Sequence, residues 1–215
     1  MKIGVLGTGM VGNALGSKLV QLGHSVKMGS RTVNNPKAVE WAKGNGPNAS
    51  QGTFAESTSH GEIVFNCTAG MASLDALKLA GSNNLRGKIL IDIANPLDFS
   101  KGMPPTLSVC NTDSLGEQIQ RAFPDTKVVK TLNTVNCNVM VKPSLVPGDH
   151  EMFICGNDAG AKEKVTDILR NWFGWKSVID LGDITNARAM EMWLPMWVRL
   201  WAKFQTPNFN LKIAK

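Results

Sequence analysis

Lys2-Ile3-Gly4-Val5-Leu6-Gly7-Thr8-Gly9-Met10-Val11-Gly12 is the stretch that decides the fold. Residues 2–6 form a short apolar run of strand type. From Met10 onward, Val11, Leu15, Leu19 and Leu22 recur at helical spacing, and Gly23 ends the helix. Between the two lies Gly7-Thr8-Gly9-Met10-Val11-Gly12, a match to G-x-G-x-x-G that Gly16 extends. The hexapeptide alone is weak evidence. Placed after a strand and opening an amphipathic helix, it has the context of a dinucleotide-binding fingerprint. Gly7 permits the tight turn, Gly9 lets the backbone approach a pyrophosphate, and Gly12 and Gly16 let the helix pack closely on a sheet. The helix N-terminus adds free N–H groups and partial positive charge for the phosphates.

Working outward, a second strand is expected over His24–Gly29, then a polar helix over Pro36–Lys43 with Pro36 in its first turn. Further strand-like runs cover Ile63–Thr68, Lys88–Ile93, Lys127–Leu132, Met152–Cys155 and Ser177–Leu181. Helical patterns cover Ser73–Ala80, Ser114–Ala122 and Ala159–Trp172. Strands alternating with helices of this length imply crossover units, hence an α/β fold of Rossmann type with a mainly parallel sheet. Asn95–Thr112, with three prolines and no period, reads as a long loop. After about residue 135 the alternation weakens. This predicts a nucleotide-binding domain over 1–135 and a small C-terminal lobe over 136–215 that ends in a Trp-rich helix.

The end of the second strand bears on which dinucleotide is bound. An NAD-specific domain places an acid there to accept from the ribose hydroxyls. Here the strand runs into Ser30-Arg31-Thr32, with no acid. An arginine can pair with a 2′-phosphate and a serine can donate to it, which favours NADP(H). Lys37 adds positive charge nearby.

Composition narrows the remaining classes. With 43% hydrophobic and 19% charged residues the chain is of ordinary globular type, so a disordered reading falls away. The net charge of +6 is scattered, with no basic run interleaved with aromatics, so no nucleic-acid partner is expected. Cys67, Cys110, Cys137 and Cys155 stand singly, without metal-ligand spacing, and no metal site is expected. The apolar stretch Met190–Phe204 carries Glu191, Pro195, Arg199 and Lys203, which argues against a membrane span. With the first strand starting at Lys2, no signal peptide is expected, and the reading is a soluble cytoplasmic protein. His24, His60 and His150 read as turn or surface residues, and no catalytic side chain is assigned.

Open α/β sheets bind ligands at the carboxyl ends of their strands. That rule selects Thr68-Ala69-Gly70, Asn95-Pro96 and Asn133-Thr134, small or amide residues suited to lying under a nicotinamide and its ribose. At this point the chain resembles a known family. Gly7-Thr8-Gly9 with Ser30-Arg31, Asn95-Pro96-Leu97, Leu132-Asn133-Thr134 and the tail Leu181-Gly182-Asp183-Ile184-Thr185-Asn186-Ala187-Arg188 are similar to the NADP oxidoreductases that depend on the deazaflavin coenzyme F420. A related domain forms the cytosolic part of certain membrane metalloreductases. The resemblance covers essentially the whole chain. It implies a homodimer that transfers hydride between NADPH and a small-molecule acceptor, F420 or another flavin-like ring. It also implies that Thr8, Ser30 and Arg31 hold the 2′-phosphate side of NADP. Thr68, Ala69, Asn95 and Pro96 would line the nicotinamide, and Asn133, Thr134 and Arg188 would face the second ring.

Hydride transfer between stacked rings needs orientation and exclusion of water, with the cofactors carrying the chemistry. The lack of a nucleophile–base constellation fits this. Two other readings stay open: an NADP-dependent reductase of a small metabolite such as an imino or keto acid, and a non-catalytic NADPH sensor. Trp193, Trp197 and Trp201 recur on one helix face, either as core or dimer packing or as the wall of a second-ring pocket. Pro195 is expected to kink or restart that helix.

Overall fold

The computed structural model describes residues 1–214. Among the described residues ten strands are formed: β1 (Lys2–Leu6), β2 (Ser25–Ser30), β3 (Ala49–Thr53), β4 (Ile63–Asn66), β5 (Ile89–Asp92), β6 (Leu97–Asp98), β7 (Thr106–Leu107), β8 (Lys127–Thr131), β9 (Glu151–Gly156) and β10 (Ser177–Asp180). The helices are α1 (Met10–Gln21), α2 (Pro36–Gly44), α3 (Phe54–His60), α4 (Gly70–Ala80), α5 (Ser82–Leu85), α6 (Leu115–Ala122), α7 (Cys137–Val141), α8 (Ala159–Ile168) and α9 (Ala187–Phe204). A π-helical turn, Leu169–Phe173, prolongs α8.

Eight strands make one sheet in the order β10-β9-β8-β5-β4-β1-β2-β3. From β3 to β8 every pairing is parallel. Counted along the chain, those six strands have the 3-2-1-4-5-6 order of a doubly wound dinucleotide-binding sheet, with the order reversing between β1 and β4. β9 then pairs antiparallel to β8, and β10 parallel to β9. Residues 136–214 thus extend the same sheet rather than starting another.

The central strands read as unbroken apolar runs because both faces are covered, and alternate side chains serve opposite cores. Ile3, Val5, Phe65, Ile91 and Val129 point into a core shared with Leu15, Leu19, Trp41, Val165 and Trp175 of the α1, α2 and α8 side. Leu6, Val64, Leu90 and Val128 point into the other, with Leu77, Ile119, Ala187 and Met190 from α4, α6 and α9.

The structure adds to or corrects the sequence reading at four places. The polar stretch 49–60 contains a strand and a helix, β3 and α3, the latter opened by a Thr53–Glu56 capping box. Asn95–Thr112 is not wholly irregular, because Leu97–Asp98 and Thr106–Leu107 pair as a short hairpin. Gly16 serves helix–helix packing as well as sheet packing: a Cβ there would meet the Trp41 ring of α2 at 2.8 Å and Met28 of β2 at 3.4 Å. Finally, α9 runs through Pro195 without restarting. A proline removes one donor, and here burial of Leu194 and Val198 holds the helix on both sides of the missing bond.

Candidate functional site

At the switch point, β1 runs out into Gly7, whose φ of +114° is a conformation that side-chain-bearing residues avoid. Its N–H donates to Gly29 O at 2.9 Å, and an added Cβ would sit 2.6 Å from Cys67 O, so β1, β2 and β4 converge here. Any Cβ on Gly12 would collide with Gly7 O, which fixes how closely α1 approaches the loop. Gly9 differs, because nothing lies within 4 Å of where its Cβ would be. It is also the N-cap of α1, with no side-chain capping bond and no acid in the first turn. The orphan N–H groups of a twelve-residue helix therefore face open space beside Gly9, which suits a diphosphate.

Thr8, Gly9, Met10 and Lys37 line one cavity of about 750 Å³ between α1, α2 and α7. Asn13, Asn136 and Asn138 share it. Sequence reading missed these three asparagines, although Asn136 and Asn138 follow closely on Leu132-Asn133-Thr134. Arg31, just past β2, is exposed and forms no ion pair among the described residues. Ser30 is buried, and its hydroxyl donates to Thr32 O at 2.6 Å. Its proton is thus directed at its own loop, and it meets a phosphate as donor only if the hydroxyl rotates.

The strand-end turns are packed together. A Cβ on Gly70 would strike Asn95 O, so Thr68-Ala69-Gly70 lies directly against Asn95-Pro96. Thr68 Oγ1 donates to Asn66 Oδ1 at 2.7 Å and lies 2.7 Å from Ser73 Oγ. Asn95 and Asn133 form a reciprocal pair: Asn95 Nδ2 donates to Asn133 O and Asn133 Nδ2 to Asn95 Oδ1, both at 2.9 Å. Asn133 Nδ2 also reaches Met190 O of α9 at 3.2 Å. Just before it, Leu132 has φ +63°, an uncommon left-handed conformation for a bulky residue and one associated with functional sites.

Asn133 and Thr134 are each only 1% exposed, yet Asn133 Oδ1 and Thr134 Oγ1 lack partners. Buried oxygens of this kind cost free energy unless something binds them. Thr134 also borders an apolar cavity of about 370 Å³ with Phe153, Leu181, Met192, Trp193 and Leu211. Trp193 Nε1 closes that wall by donating to Thr134 O at 3.1 Å. Trp197 instead stacks on Trp201 and Phe209.

Arg188 does not share that cavity's lining. Its Nε and Nη2 grip Glu117 of α6 at 2.8 and 2.5 Å, and this pairing holds the Glu117 carboxyl below its ordinary pKa. A second charged group was not legible in the sequence at all. Lys130 of β8, fully buried, lies 2.8 Å from Asp92 Oδ2 and 2.7 Å from Glu191 Oε1. Burial disfavours the lysine's charge, but the two carboxylates outweigh it and raise its pKa above the usual value.

Most of the other reactive side chains are packed or bonded within the fold. All four cysteines are free; burial raises the Cys67 thiol and pushes Cys155 up to about 12, so neither is a ready nucleophile. His24 packs on Trp172, and His60 and His150 bond to the backbone oxygens of Ser25 and Pro143. Among the described residues no cluster of His, Cys, Asp or Glu is arranged to hold a metal ion, and no helix is long and apolar enough to cross a membrane.

Residues 2–96 match the family described as "NADP oxidoreductase coenzyme F420-dependent". A crystal structure from Arthrobacter sp. FB24, of a protein provisionally named an F420-dependent NADP-reductase, is 52% identical, covers 100% of both chains and superposes with a TM-score of 0.95. The F420-dependent NADP reductase of Methanocaldococcus jannaschii is 28% identical over 100% of this chain and 98% of its own length. The rat metalloreductase STEAP3 is 30% identical over 91% of this chain, which spans only 38% of that protein.

Proposed function

The chain belongs to the coenzyme F420-dependent NADP oxidoreductase family, and on that premise we propose that it transfers a hydride between NADP(H) and the deazaflavin ring of F420. One observation carries the reading. A single sheet edge holds both the open, uncapped start of α1 and, across the switch point, two buried oxygens without partners, one of them beside an apolar cavity. The first suits a dinucleotide phosphate, and the second suits an aromatic ring carrying hydrogen-bond donors.

In this reading Gly7 to Gly12 cradle the pyrophosphate, while Arg31, with Ser30 and Lys37, holds the 2′-phosphate. Thr68, Ala69, Asn95 and Pro96 form the floor under the nicotinamide. Asn133 and Thr134 meet the second ring, and Arg188 acts at that site's edge through the Glu117 pair. When both partners are bound, the reduced nicotinamide supplies the hydride and the deazaflavin takes it up together with a proton from solvent. The protein's task is to hold two ring sites in register and keep water out. Residues 1–135 form the nucleotide-binding domain, whose Asn133 and Thr134 also reach the acceptor, and 136–215 form the small lobe that completes the acceptor site. The protein works in the cytoplasm as a homodimer joined through the C-terminal half of α9, where Met196, Trp201 and Phe204 are exposed.

Mixing the protein with NADPH and, separately, F420, FMN, FAD or a ferric chelate tests this. Loss of reduced-nicotinamide absorbance should be fastest with F420. Tight NADPH binding with no acceptor reduced would transfer the case to a sensor.

A further inference from the structure

The hydride transfer proposed above gives no task to the most deeply buried charges in the molecule. Asp92, Lys130 and Glu191 have side chains 0%, 0% and 1% exposed. Their formal charges sum to −1, and backbone and amide dipoles meet the excess. Asn66 Nδ2 and Ala94 N–H donate to Asp92 Oδ1 at 2.8 and 3.3 Å. Leu115 N–H and Gly116 N–H, at the start of α6, donate to Glu191 Oε2 and Oε1 at 2.8 and 3.0 Å. Lys130 Nζ donates as well to Ala94 O.

Stability alone is a poor reason for such a cluster, since apolar groups of equal size often serve a core as well or better. Geometry is a better one. The cluster ties four elements together, β5, β8, α6 and α9, and each charge has a site residue close by in the chain. Asp92 precedes Asn95 by one short turn, and Lys130 stands in the same relation to Asn133. Glu191 follows Met190, whose carbonyl receives Asn133 Nδ2, and shares a turn of α9 with Trp193, which donates to Thr134 O.

We propose that Glu191, bridging Lys130 and the start of α6, is a positioning residue that seats α9 against the sheet and so keeps Met190 and Trp193 bonded to Asn133 and Thr134, which sets the shape of the cavity that Thr134, Met190 and Trp193 line. This rests on the reading that the acceptor ring enters that cavity. Among the described residues Lys130 pairs with no carboxylates but Asp92 and Glu191, and Glu117, the acid in the first turn of α6, is already held by Ser114 and Arg188. Shortening or neutralising Glu191 therefore frees α9 to shift.

Glu191→Gln is the test, because it brings the cluster's charge to zero and leaves no lone buried ion. Its amide cannot accept from Lys130 and from both α6 N–H groups at once, so one bond is lost. NADPH affinity, measured by fluorescence titration, should stay within about twofold. Turnover with F420 should fall roughly tenfold to a hundredfold, as expected for a misplaced reacting pair, and the primary isotope effect with C4-deuterated NADPH should rise. A lowered Tm with kcat, KM and isotope effect unchanged would reduce Glu191 to a structural strut and overturn the proposal. If the wild-type protein reduces no ring acceptor, the functional reading fails on its own. The positional claim is then decided by the variant's crystal structure. Broken Asn133–Met190 and Trp193–Thr134 bonds sustain it, and intact ones refute it. Should Glu191→Gln not fold, Glu191→Asp keeps the charge but is one methylene shorter, and the same outcomes apply.

Discussion

Arg31 and Ser30 stand side by side at the end of β2, but the chain treats them differently. Arg31 is exposed and without an ion partner among the described residues, whereas Ser30 is buried and donates to Thr32 O. Preference for the 2′-phosphate should therefore depend mostly on the guanidinium. Charge-assisted hydrogen bonds contribute about 1.5–3 kcal/mol, so Arg31→Ala should raise the KM for NADPH at least about tenfold and leave NADH nearly unchanged. Steady-state kinetics with the two coenzymes decides it, and equal losses would remove Arg31 from the role. Ser30→Ala should matter far less. The absence of an acid beside Arg31 could be read from the sequence because it concerns neighbours in the chain. The orphaned oxygens of Asn133 and Thr134 could not, since a missing partner shows only after folding. The Asp92–Lys130 pair, 38 residues apart, was hidden for the same reason.

At the scale of elements, legibility followed apolar content. β1, β4, β5 and β8 were found because strands buried on both faces become apolar runs. β3 (Ala-Ser-Gln-Gly-Thr) escaped because it is an edge strand with little apolar surface to reveal it. α3 escaped because its packing depends on polar groups: Ser57 Oγ donates to Lys27 O at 2.7 Å. Only the Thr53–Glu56 capping spacing could have announced it. α6 shows how an element end is secured by charge. Arg121 grips Asp113 through Nη1 and Nη2 at 2.9 and 2.7 Å, and Gln118 adds a third bond. These bonds, Arg121 foremost, hold the Asp113 carboxyl down at about 2 against an ordinary 3.8. The folded form thus binds that proton less readily than the unfolded chain. The stabilisation is complete above pH 3.8 and disappears as pH falls through about 2. Because the pair is partly solvated, its worth is about 1 kcal/mol. Asp113→Asn should cost that much in urea unfolding at neutral pH and nothing measurable near the acid end. A penalty equal at both ends would point to lost packing instead of lost charge.

For the whole molecule, alternating strands and helices were enough to indicate a mainly parallel sheet. They could not reveal that β9 turns antiparallel, because a buried strand looks the same in either direction. That reversal attaches β9 and β10 to the edge formed by β8 and leaves α9 lying over the β8–β9 side, with Trp193 toward the cavity and Trp201 41% exposed. The tryptophan repeat thus has two jobs. Its inner member borders a cavity, and its outer one lies with Met196, 54% exposed, and Phe204 on the C-terminal half of α9, where exposed apolar side chains of this kind mark an interface. If that end of α9 joins two copies, Met196→Glu with Trp201→Glu sets four carboxylates at a symmetric contact and should yield a monomer by light scattering. Neither residue borders the acceptor cavity, so the KM for F420 should change little. Trp193→Ala should do the reverse, leaving the mass alone and raising that KM, because it removes the cavity wall and its bond to Thr134 O. A double variant of unchanged mass would place the interface elsewhere. One that became monomeric and lost F420 turnover as well would mean that the acceptor site is completed only across the dimer.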